Sequence, residues 1–460
     1  MNTLILISVL PIVLLYLGLY KAKKALLPVT VVGLLAALVL AVLEWNTNAV
    51  PIYHNMMLFD NYSVAFSVIT IVSTILILLL SKDYFERISS HTAEYYAIIL
   101  FSLAGIIVMV SYYNLVMLFI GIEIMSVSLY ILAGIKKNDF ASNEAALKYF
   151  LMGAFSTGFL LFGIALIYGA SGTFSLEGIR DWVIAQPAGI ANPMLDTGIM
   201  LIIVGLCFKV GAAPFHFWTP DVYEGSPTLI TAFMSTVVKT AGFAAFLRLF
   251  MECFTTLSAV WMPVLLVITI LTLFIGNITA LYQQSFKRML AFSSISHAGY
   301  LLFAIVALGA SSANSVFVYA TAYSIASIIA FGALILVQQQ SGSANFESFN
   351  GLAKKNPFLA LVLTISMLSL AGIPLTAGFM GKFFMFSTAL SHFQVWLVIL
   401  AVINAIISIF YYFRVIVAMY FRDAEPNEVL VPGYYKFVLG LSALVTIAIG
   451  IYPVFISGLI

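Results

Sequence analysis

Long apolar stretches recur along almost the whole chain, and they constrain its fold more than any other feature. A helix that crosses a bilayer needs about 20 mostly apolar residues. Only 8% of the 460 residues are charged, whereas a soluble domain has about 25%. We therefore expect an all-α polytopic membrane protein with about 14 transmembrane helices. The predicted spans lie near residues 3–20, 25–43, 62–81, 95–112, 114–135, 143–169, 197–218, 227–250, 258–282, 289–308, 314–338, 358–389, 393–420 and 434–457.

The first apolar stretch, MNTLILISVLPIVLLYLGLYKAKK, is expected to be a retained span rather than a cleaved signal peptide. It has no basic region before the apolar run and no cleavage site of small residues, and its positive cluster follows the run.

The positions of Lys and Arg predict the orientation of the spans. Loops after even-numbered spans contain only Arg180 and Arg248, and loops after odd-numbered spans contain the other loop cations. Basic residues concentrate in cytoplasmic loops, so both termini are expected on the outer side. The cations of the odd-numbered loops are Lys21, Lys23, Lys24, Lys82, Arg87, Lys136, Lys137, Lys287, Arg288, Lys354, Lys355, Arg422 and Lys436.

Two predicted spans contain helix breakers at a similar depth. Gly211 and Pro214 interrupt the seventh span, and Gly372 and Pro374 interrupt the twelfth, each about 15 residues in. Paired interrupted helices in corresponding positions indicate an inverted repeat with its site near the bilayer midplane. A simple proline kink in each helix is the alternative.

The repeat hypothesis divides the chain into four parts. Spans 4–8 and spans 9–13 form two five-helix units, and because five is odd the second unit lies upside down relative to the first. The predicted parts are residues 1–90 for spans 1–3, 91–255 and 256–425 for the two units, and 426–460 for span 14.

Several ionisable residues lie deep within predicted spans, where a charge is costly and usually functional. Glu123, in LFIGIEIMSVSLY, is the only acid far from a span end. Lys209 and Lys239 are likewise far from the ends of their spans, Lys382 follows the break in span 12, and His297 lies about eight residues into span 10.

These residues predict a proton relay. A lysine deprived of water and of a counter-ion can lose and regain its proton near neutral pH, whereas a nearby carboxylate keeps it charged. Movement of Glu123 relative to Lys209 would therefore load and unload the lysine. A structural ion pair between the two residues is the alternative, but no second deep acid exists for Lys239 and Lys382.

Weaker candidates flank this set. Lys148, near the start of span 6, is either a relay member or a lysine that reaches the cytoplasmic surface. His216, beside the break, either shuttles protons or bonds a freed carbonyl. Arg414 does not deprotonate in proteins, so we expect it to be a structural or field-setting charge.

The tract TPDVYEGSPT is expected to be a cytoplasmic turn. Ser226 would be the N-cap of the following helix, with Pro227 at its first position. Asp221 and Glu224 in this turn could collect protons, although a solvated turn is the simpler interpretation.

The sequence predicts no cofactor bound by this chain. Cys207 and Cys253 both have apolar neighbours and are too few to ligate an iron–sulfur cluster. No Gly-rich phosphate loop follows a strand. The basic residues are scattered, so no nucleic-acid partner is expected.

Four long motifs resemble those of the antiporter-like membrane subunits of proton-pumping NADH–quinone oxidoreductase, respiratory complex I. Among these subunits, the motifs are most similar to those of the subunit N family. They are KVGAAPFHFWTPDVYEGSPT, LAGIPLTAGFMGKFF, KYFLMGAFSTGFLLFG and KRMLAFSSISHAGY, and the resemblance runs from about span 4 to span 13.

The resemblance implies fourteen helices in the membrane arm of a bacterial inner-membrane complex. It places Glu123 and Lys209 at the family's pair on helices 5 and 7, Lys239 at its central lysine and Lys382 at its terminal lysine. His297 and Lys148 also match ionisable positions. It further implies proton translocation driven by quinone reduction elsewhere in the complex, with NADH, FMN, iron–sulfur clusters and quinone on other subunits. The implied partners are neighbouring antiporter-like and small membrane subunits.

Related subunits differ from this chain in the same motifs. Subunit M and the multisubunit sodium/proton antiporters usually have Glu where this chain has Lys382, and LPDA where it has TPDVYEG. Subunit L has a long lateral helix after helix 14, which is not expected here. A subunit of a multisubunit sodium/proton antiporter is the alternative function.

Overall fold

The chain folds into a bundle of apolar helices. The computed structural model describes residues 1–47, 50–89, 91–186, 192–392, 395–423 and 429–460. Numbered by the span that they form, the helices are α1 (Asn2–Leu19), α2 (Lys23–Leu43), α3 (Asn61–Leu79), α4 (Thr92–Val110), α5 (Leu115–Ala133), α6 (Phe140–Ser171), α7a (Pro193–Val210), α7b (Trp218–Gly225), α8 (Thr228–Cys253), α9 (Ser258–Leu281), α10 (Phe286–Val306), α11 (Ser312–Ser341), α12a (Pro357–Ala371), α12b (Ala377–His392), α13 (Val395–Phe421) and α14 (Gly433–Ile451).

All fourteen predicted spans coincide with helices, with boundaries that differ by a few residues. Within the described ranges, thirteen helices are long and apolar enough to cross a membrane. The span predicted near 358–389 is the exception, because it is divided into α12a and α12b, of 15 and 16 residues. The predicted class, an all-α polytopic membrane protein with interrupted seventh and twelfth helices, is confirmed.

The seventh span breaks at Gly211, as predicted, and residues 211–217 are not helical. Its first half has 18 residues rather than ~15, because the helix begins at Pro193, four residues before the predicted start. Residues 219–225 of the tract predicted to be a solvated turn belong to α7b instead, in which the side chains of Trp218 and Tyr223 are buried. Ser226 follows α7b and does not cap α8, which begins at Thr228.

Arg248 lies within α8 and is buried, rather than in the outer loop with which its charge is counted above. The span predicted near 227–250 already contains this position, and α8 continues past it to Cys253.

The interrupted helices are built in the same way. Asn192 caps α7a and Asn356 caps α12a, and each Asn accepts a hydrogen bond from a backbone N–H and is followed by proline at the first helical position. Each half-helix ends at a glycine with positive φ, Gly211 at 72° and Gly372 at 84°, a conformation that favours glycine.

Backbone contacts identify equivalent positions in the two five-helix units. In the first unit, the N–H of Leu115 donates to the carbonyl of Phe174 at 2.9 Å, and in the second, Phe286 donates to Ala344 at 2.8 Å. These contacts join the start of each unit's second helix to the loop after its third helix.

A second backbone contact repeats beside the first. Leu176 donates to Tyr113 at 3.1 Å, and Phe346 donates to Gln284 at 3.2 Å. Each of the two loops also forms an isolated antiparallel bridge, Asn114 with Ser175 and Ser285 with Asn345.

Glycine contacts continue the correspondence. A Cβ atom on Gly105 would lie 2.7 Å from the backbone nitrogen of Met125, and one on Gly276 would lie 2.6 Å from that of Ser296. The first two helices of each unit therefore approach closely at a small residue, which is a common packing mode in membranes.

The equivalent contacts lie at opposite ends of α8, so the second unit is inverted. Near one end of this 26-residue helix, Cys253 donates to the carbonyl of Leu176 in the loop of the first unit. Near the other end, Lys287 at the start of α10 donates to the carbonyl of Ser226. At 1.5 Å per residue the two ends are about 39 Å apart.

The centre of the bundle consists of α8, α10 and α11, whose apolar windows are wholly buried. By contrast, less than half of the windows of α1, α2, α6, α9, α13 and α14 is buried. The deep ionisable residues of α8 and α10 are therefore shielded from the apolar exterior by the surrounding helices.

Candidate functional site

Lys209 lies in the last turn of α7a, one residue before the helix ends at Val210. Its side chain is buried, and its ammonium group donates hydrogen bonds to the Ser126 hydroxyl at 2.9 Å and the Tyr130 hydroxyl at 3.4 Å. Both partners lie on α5. The ammonium group therefore ends among neutral oxygen atoms.

Glu123 precedes Ser126 by three residues, on the same face of α5. Its carboxylate is half-buried and accepts a hydrogen bond from the Thr157 hydroxyl of α6 at 2.9 Å. Among the described residues no N–O distance of 4.0 Å or less joins Glu123 to Lys209. The structural ion pair is therefore not formed in this structure.

Lys239 is the first residue after a π-helical turn in α8, Met234–Val238. Its side chain is buried, and its ammonium group donates to the carbonyl of Ser294 at 2.5 Å and to the Ser294 hydroxyl. Isolated π turns are frequent at functional sites. The turn directs Lys239 towards α10.

His297 is buried on α10 between two tyrosines. Its Nδ1 lies 2.7 Å from the hydroxyl of Tyr319, and its Nε2 lies 3.0 Å from that of Tyr412. The Tyr412 hydroxyl also forms a hydrogen bond with Ser293. Each imidazole nitrogen thus has a hydroxyl with which it can exchange a proton.

Lys382 lies on α12b and is buried. Its ammonium group donates to the carbonyls of Leu370 at 3.2 Å and Ala371 at 2.8 Å, which the end of α12a leaves without helical partners. It also lies 4.9 Å from the centre of the Tyr300 ring, a cation–π distance.

One face of α10 connects the lysines of α8 and α12b. Ser294, His297 and Tyr300 follow one another at intervals of three residues, so they lie on one side of the helix. Ser294 binds Lys239, and Tyr300 lies under Lys382. His297 lies between them on the same face.

The contact between α7a and α8 brings Lys209 near this row. A Cβ atom on Gly242, three residues after Lys239, would lie 3.0 Å from a methyl group of Val210, the residue after Lys209. The predicted residues Glu123, Lys209, Lys239, His297 and Lys382 thus lie on helices that contact one another in sequence.

Lys148 occupies a different environment. Its side chain is 40% exposed and forms ion pairs with Glu144 at 2.7 Å and Asp221 at 2.9 Å. Asp221 also binds Arg288 of α10 at 2.9 Å. Partial burial acts to raise the pKa of Asp221, but the hydrogen bonds from Lys148 and Arg288 hold it below its usual value. Lys148 therefore belongs to a charged surface cluster that joins α6, α7b and α10.

The two remaining candidates lie beside the broken helix and at the far end of the second unit. His216 is buried next to the break, where its ring packs against that of Phe217. Arg414 is half-buried and donates to the carbonyl of Gln283 at 2.7 Å.

Sequence reasoning missed the hydroxyl groups that hold the ionisable side chains. Ser126 and Ser294 each lie three residues from a predicted site residue on the same helix, a spacing that would have identified them. Tyr319 and Tyr412 come from other helices, so no local pattern pointed to them. Lys287, predicted in a loop, is buried and bonded to the carbonyls of Glu224 and Ser226.

Comparisons with known proteins agree on the family. The profile of the family described as "NADH:quinone oxidoreductase/Mrp antiporter, TM" matches residues 112–408. NADH-quinone oxidoreductase subunit N of Cytophaga hutchinsonii is 41% identical over 456 residues, which cover 98% of each chain.

Solved structures show the same arrangement of helices. A chain of respiratory complex I from Thermus thermophilus, solved with bound aureothin, is 31% identical, with a TM-score of 0.83 and coverage of 98% of this chain and 97% of that one. A chain of the Mrp complex from Dietzia sp. DQ12-45-1b has a TM-score of 0.88 at 19% identity, with coverage of 98% and 94%; at that identity the likeness shows the fold alone.

The family profile covers more than half of the chain, and the Cytophaga relative aligns over nearly the full length of both sequences. The chain therefore belongs to the subunit N family of NADH–quinone oxidoreductases.

Proposed function

We propose that this chain translocates protons across the membrane as a subunit of an NADH–quinone oxidoreductase. Oxidation of NADH and reduction of quinone take place on other subunits, which hold FMN, the iron–sulfur clusters and the quinone site. The chain contributes a row of ionisable side chains, and neighbouring antiporter-like and small membrane subunits are its partners. The resemblance of the motifs and the names of the relatives support this assignment.

The observation that carries the proposal is the environment of three buried lysines. Lys209, Lys239 and Lys382 are each at most 8% exposed, and among the described residues their hydrogen-bond partners are hydroxyl and carbonyl oxygens. An ammonium group without a carboxylate partner is poorly stabilised in an apolar interior. Such a group can release its proton when a neighbouring charge changes.

The route that we propose follows the contacts between helices. A proton passes between Lys209 and Lys239 across the contact of α7a with α8, and then along the Ser294, His297 and Tyr300 face of α10 to Lys382. Glu123, held by Thr157, sets the charge state of Lys209 from one helical turn away.

Lys148 takes a place at the beginning of this route. Its exposed ion-pair cluster with Asp221 lies on the face that carries most of the basic loops, which we propose is the cytoplasmic face, with both termini on the outer side. The units that perform this function are residues 91–255 and 256–425, flanked by 1–90 and 426–460.

Substitution of Lys209 by Met tests the proposal, because Met keeps the apolar stem and removes the ammonium group. The assembled complex carrying K209M is reconstituted into vesicles, and proton uptake is measured with a pH-sensitive dye per unit of bound flavin. We expect normal assembly and strongly reduced proton uptake and quinone reduction. Lys137→Met, which removes an exposed lysine of the basic face, is the matched control.

A scaffold that uses its charges only to hold helices together behaves differently. In that case K209M assembles poorly, while the complexes that do assemble take up protons at the normal rate. That result would overturn the relay.

A further inference from the structure

Arg248 and Arg414 are equivalent residues of the two inverted units. Arg248 is on α8 and Arg414 on α13, the fifth helix of each unit. Arg248 donates to the carbonyl of Tyr112 at 3.4 Å, and Arg414 donates to that of Gln283 at 2.7 Å. The second helix of the first unit is capped by Asn114, and that of the second unit by Ser285. Each acceptor lies two residues before its cap, so the two arginines bind the same turn at opposite ends of the bundle.

The two arginines differ in their counter-charge. Arg248 binds the carboxylate of Asp60 at 2.5 Å. Asp60 is the N-cap of α3, which lies outside both units. The first unit thus obtains an acid for this arginine from the N-terminal helices.

Arg414 has neutral partners within the described chain. Its second nitrogen donates to the side-chain oxygen of Gln284 at 2.7 Å, and its guanidinium lies 4.2 Å from the centre of the Phe346 ring. No Asp or Glu oxygen of the described residues lies within 4.0 Å of it. A second cation, Arg422, lines the same cavity.

A cavity of about 420 Å³ opens beside Arg414. Its walls include the amides of Gln284, Asn345 and Asn350 and the guanidinium of Arg422. Amide and guanidinium N–H groups are donors, and two arginines match the oxygens of a phosphate. The Glu347 carboxylate also lines the cavity, so the lining has a net charge of +1.

The outer face of α13 continues from the cavity as an apolar surface. Phe410 and Ile406, one and two turns before Arg414 and thus nearer the middle of the helix, are 67% and 62% exposed, and Phe413, beside Arg414, is 39% exposed. A cationic and amide-lined cavity at the end of a membrane helix, with aromatic and aliphatic side chains below it, matches a phospholipid in both of its parts.

We propose that this cavity binds the phosphate of an anionic phospholipid, whose acyl chains lie along α13. The phosphate supplies to Arg414 the negative charge that Asp60 supplies to Arg248. This site does not depend on the proton relay, and it lies on the face that we propose is cytoplasmic. A carboxylate of a neighbouring subunit would provide the same charge but would leave the apolar face of α13 unexplained.

The experiment uses the assembled oxidoreductase complex, purified in a mild detergent and titrated with phosphatidylglycerol. Native mass spectrometry counts the bound lipid per complex. We expect Arg414→Gln to raise the half-saturating lipid concentration of one site about tenfold. Arg422→Gln, which leaves the hydrogen bonds to Gln283 and Gln284 intact, is expected to weaken the same site less and keeps the test valid if Arg414→Gln fails to assemble.

Arg87→Gln, which removes an exposed arginine of the same face, should leave the binding curve unchanged. Two parallel titrations serve as competitors. Phosphatidylcholine has the acyl chains but no net charge, and inorganic phosphate has the charge but no acyl chains. Neither should displace phosphatidylglycerol. Equal lipid binding by the wild type and both pocket variants would overturn the proposal. Displacement by inorganic phosphate, or cross-linking of a photoreactive residue at Phe413 to another subunit in place of lipid, would also overturn it.

Discussion

The ammonium group of Lys209 and the hydroxyl of Ser126 are joined by a hydrogen bond of 2.9 Å, which places a serine of α5 where a carboxylate was expected. Glu123, one turn away on the same helix, is held by Thr157 instead. The acid can therefore change its distance from the lysine without breaking an ion pair.

Removal of the Ser126 hydroxyl should impair translocation more than it impairs folding. A hydrogen bond to a charged group contributes about 1.5–3 kcal/mol, so we expect Ser126→Ala to lower proton uptake per assembled complex about tenfold or more. Ser128→Ala is the matched control, because the Ser128 hydroxyl bonds only a backbone carbonyl of its own helix. Equal activities of the two variants would contradict this role for Ser126.

Alanine at Gly372 should disturb Lys382 specifically. The left-handed φ of 84° makes any side chain unfavourable there, at a cost of about 1–2 kcal/mol. In addition, a Cβ atom would lie 2.7 Å from Cδ of Lys382 and 3.1 Å from its Nζ. The lysine must then move away from the carbonyls of Leu370 and Ala371.

Gly342→Ala separates these two effects. Gly342 has a similar φ of 70°, but a Cβ atom there would meet nothing within 4 Å. We expect both variants to lower the midpoint of thermal unfolding, whereas only Gly372→Ala lowers the rate of proton uptake. A loss of uptake of the same size in Gly342→Ala would show that backbone strain alone is responsible.

Asp221 should stabilise the complex through its bonds to Lys148 and Arg288 without titrating in the working pH range. Its pKa is held below the usual value of 3.8 by those two hydrogen bonds, against the effect of partial burial. A carboxylate with a lowered pKa contributes stability above its unfolded pKa and loses it as the pH falls through the folded value. We therefore expect Asp221→Asn to lower the midpoint of thermal unfolding, and to lower it by the same amount at pH 8 and at pH 5. A difference that shrinks between these pH values would contradict the assignment.

Loss of the Asp60 charge should leave Arg248 buried without a counter-ion. Breaking a buried pair costs about 3–5 kcal/mol, and since Asp60 is 32% exposed we expect about 2 kcal/mol for Asp60→Asn. Asn keeps the N-cap hydrogen bond to Ser63, so Asp60→Ala should cost about 1 kcal/mol more. Chemical or thermal unfolding of the purified complex measures both. Combining Arg248→Met with Asp60→Asn removes both charges and should restore part of the lost stability. A double variant that is less stable than either single variant would contradict the pairing.

Sequence predicted the parts of this fold that depend on local chemistry. Span positions follow from apolar length, and both interruptions follow from Gly211 and Gly372, because a helix that ends in a left-handed turn favours glycine there. The deep ionisable residues were found because a charge within an apolar run is conspicuous. Their partners were not found, since Tyr319 and Tyr412 reach His297 from distant parts of the chain.

Two errors have a common physical cause. The helix α7b and the burial of Lys287 at the start of α10 both depend on contacts of polar or aromatic side chains with other helices. A window of sequence contains no information on that packing. The inverted repeat was predicted from the paired breaks and the odd number of helices, but the equivalent positions of the two units emerged only from the hydrogen bonds at Leu115 and Phe286, because the sequences of the two units are dissimilar.

The π turn at Met234–Val238 puts the two parts of α8 out of phase. A π turn holds one more residue than an α turn, so the side chains beyond it are rotated by about 100° about the axis. The azimuth of Lys239 therefore depends on where the extra residue lies along the helix. If the extra residue lay beyond position 239 instead, the amine would point away from Ser294 although both ends of the helix kept their places.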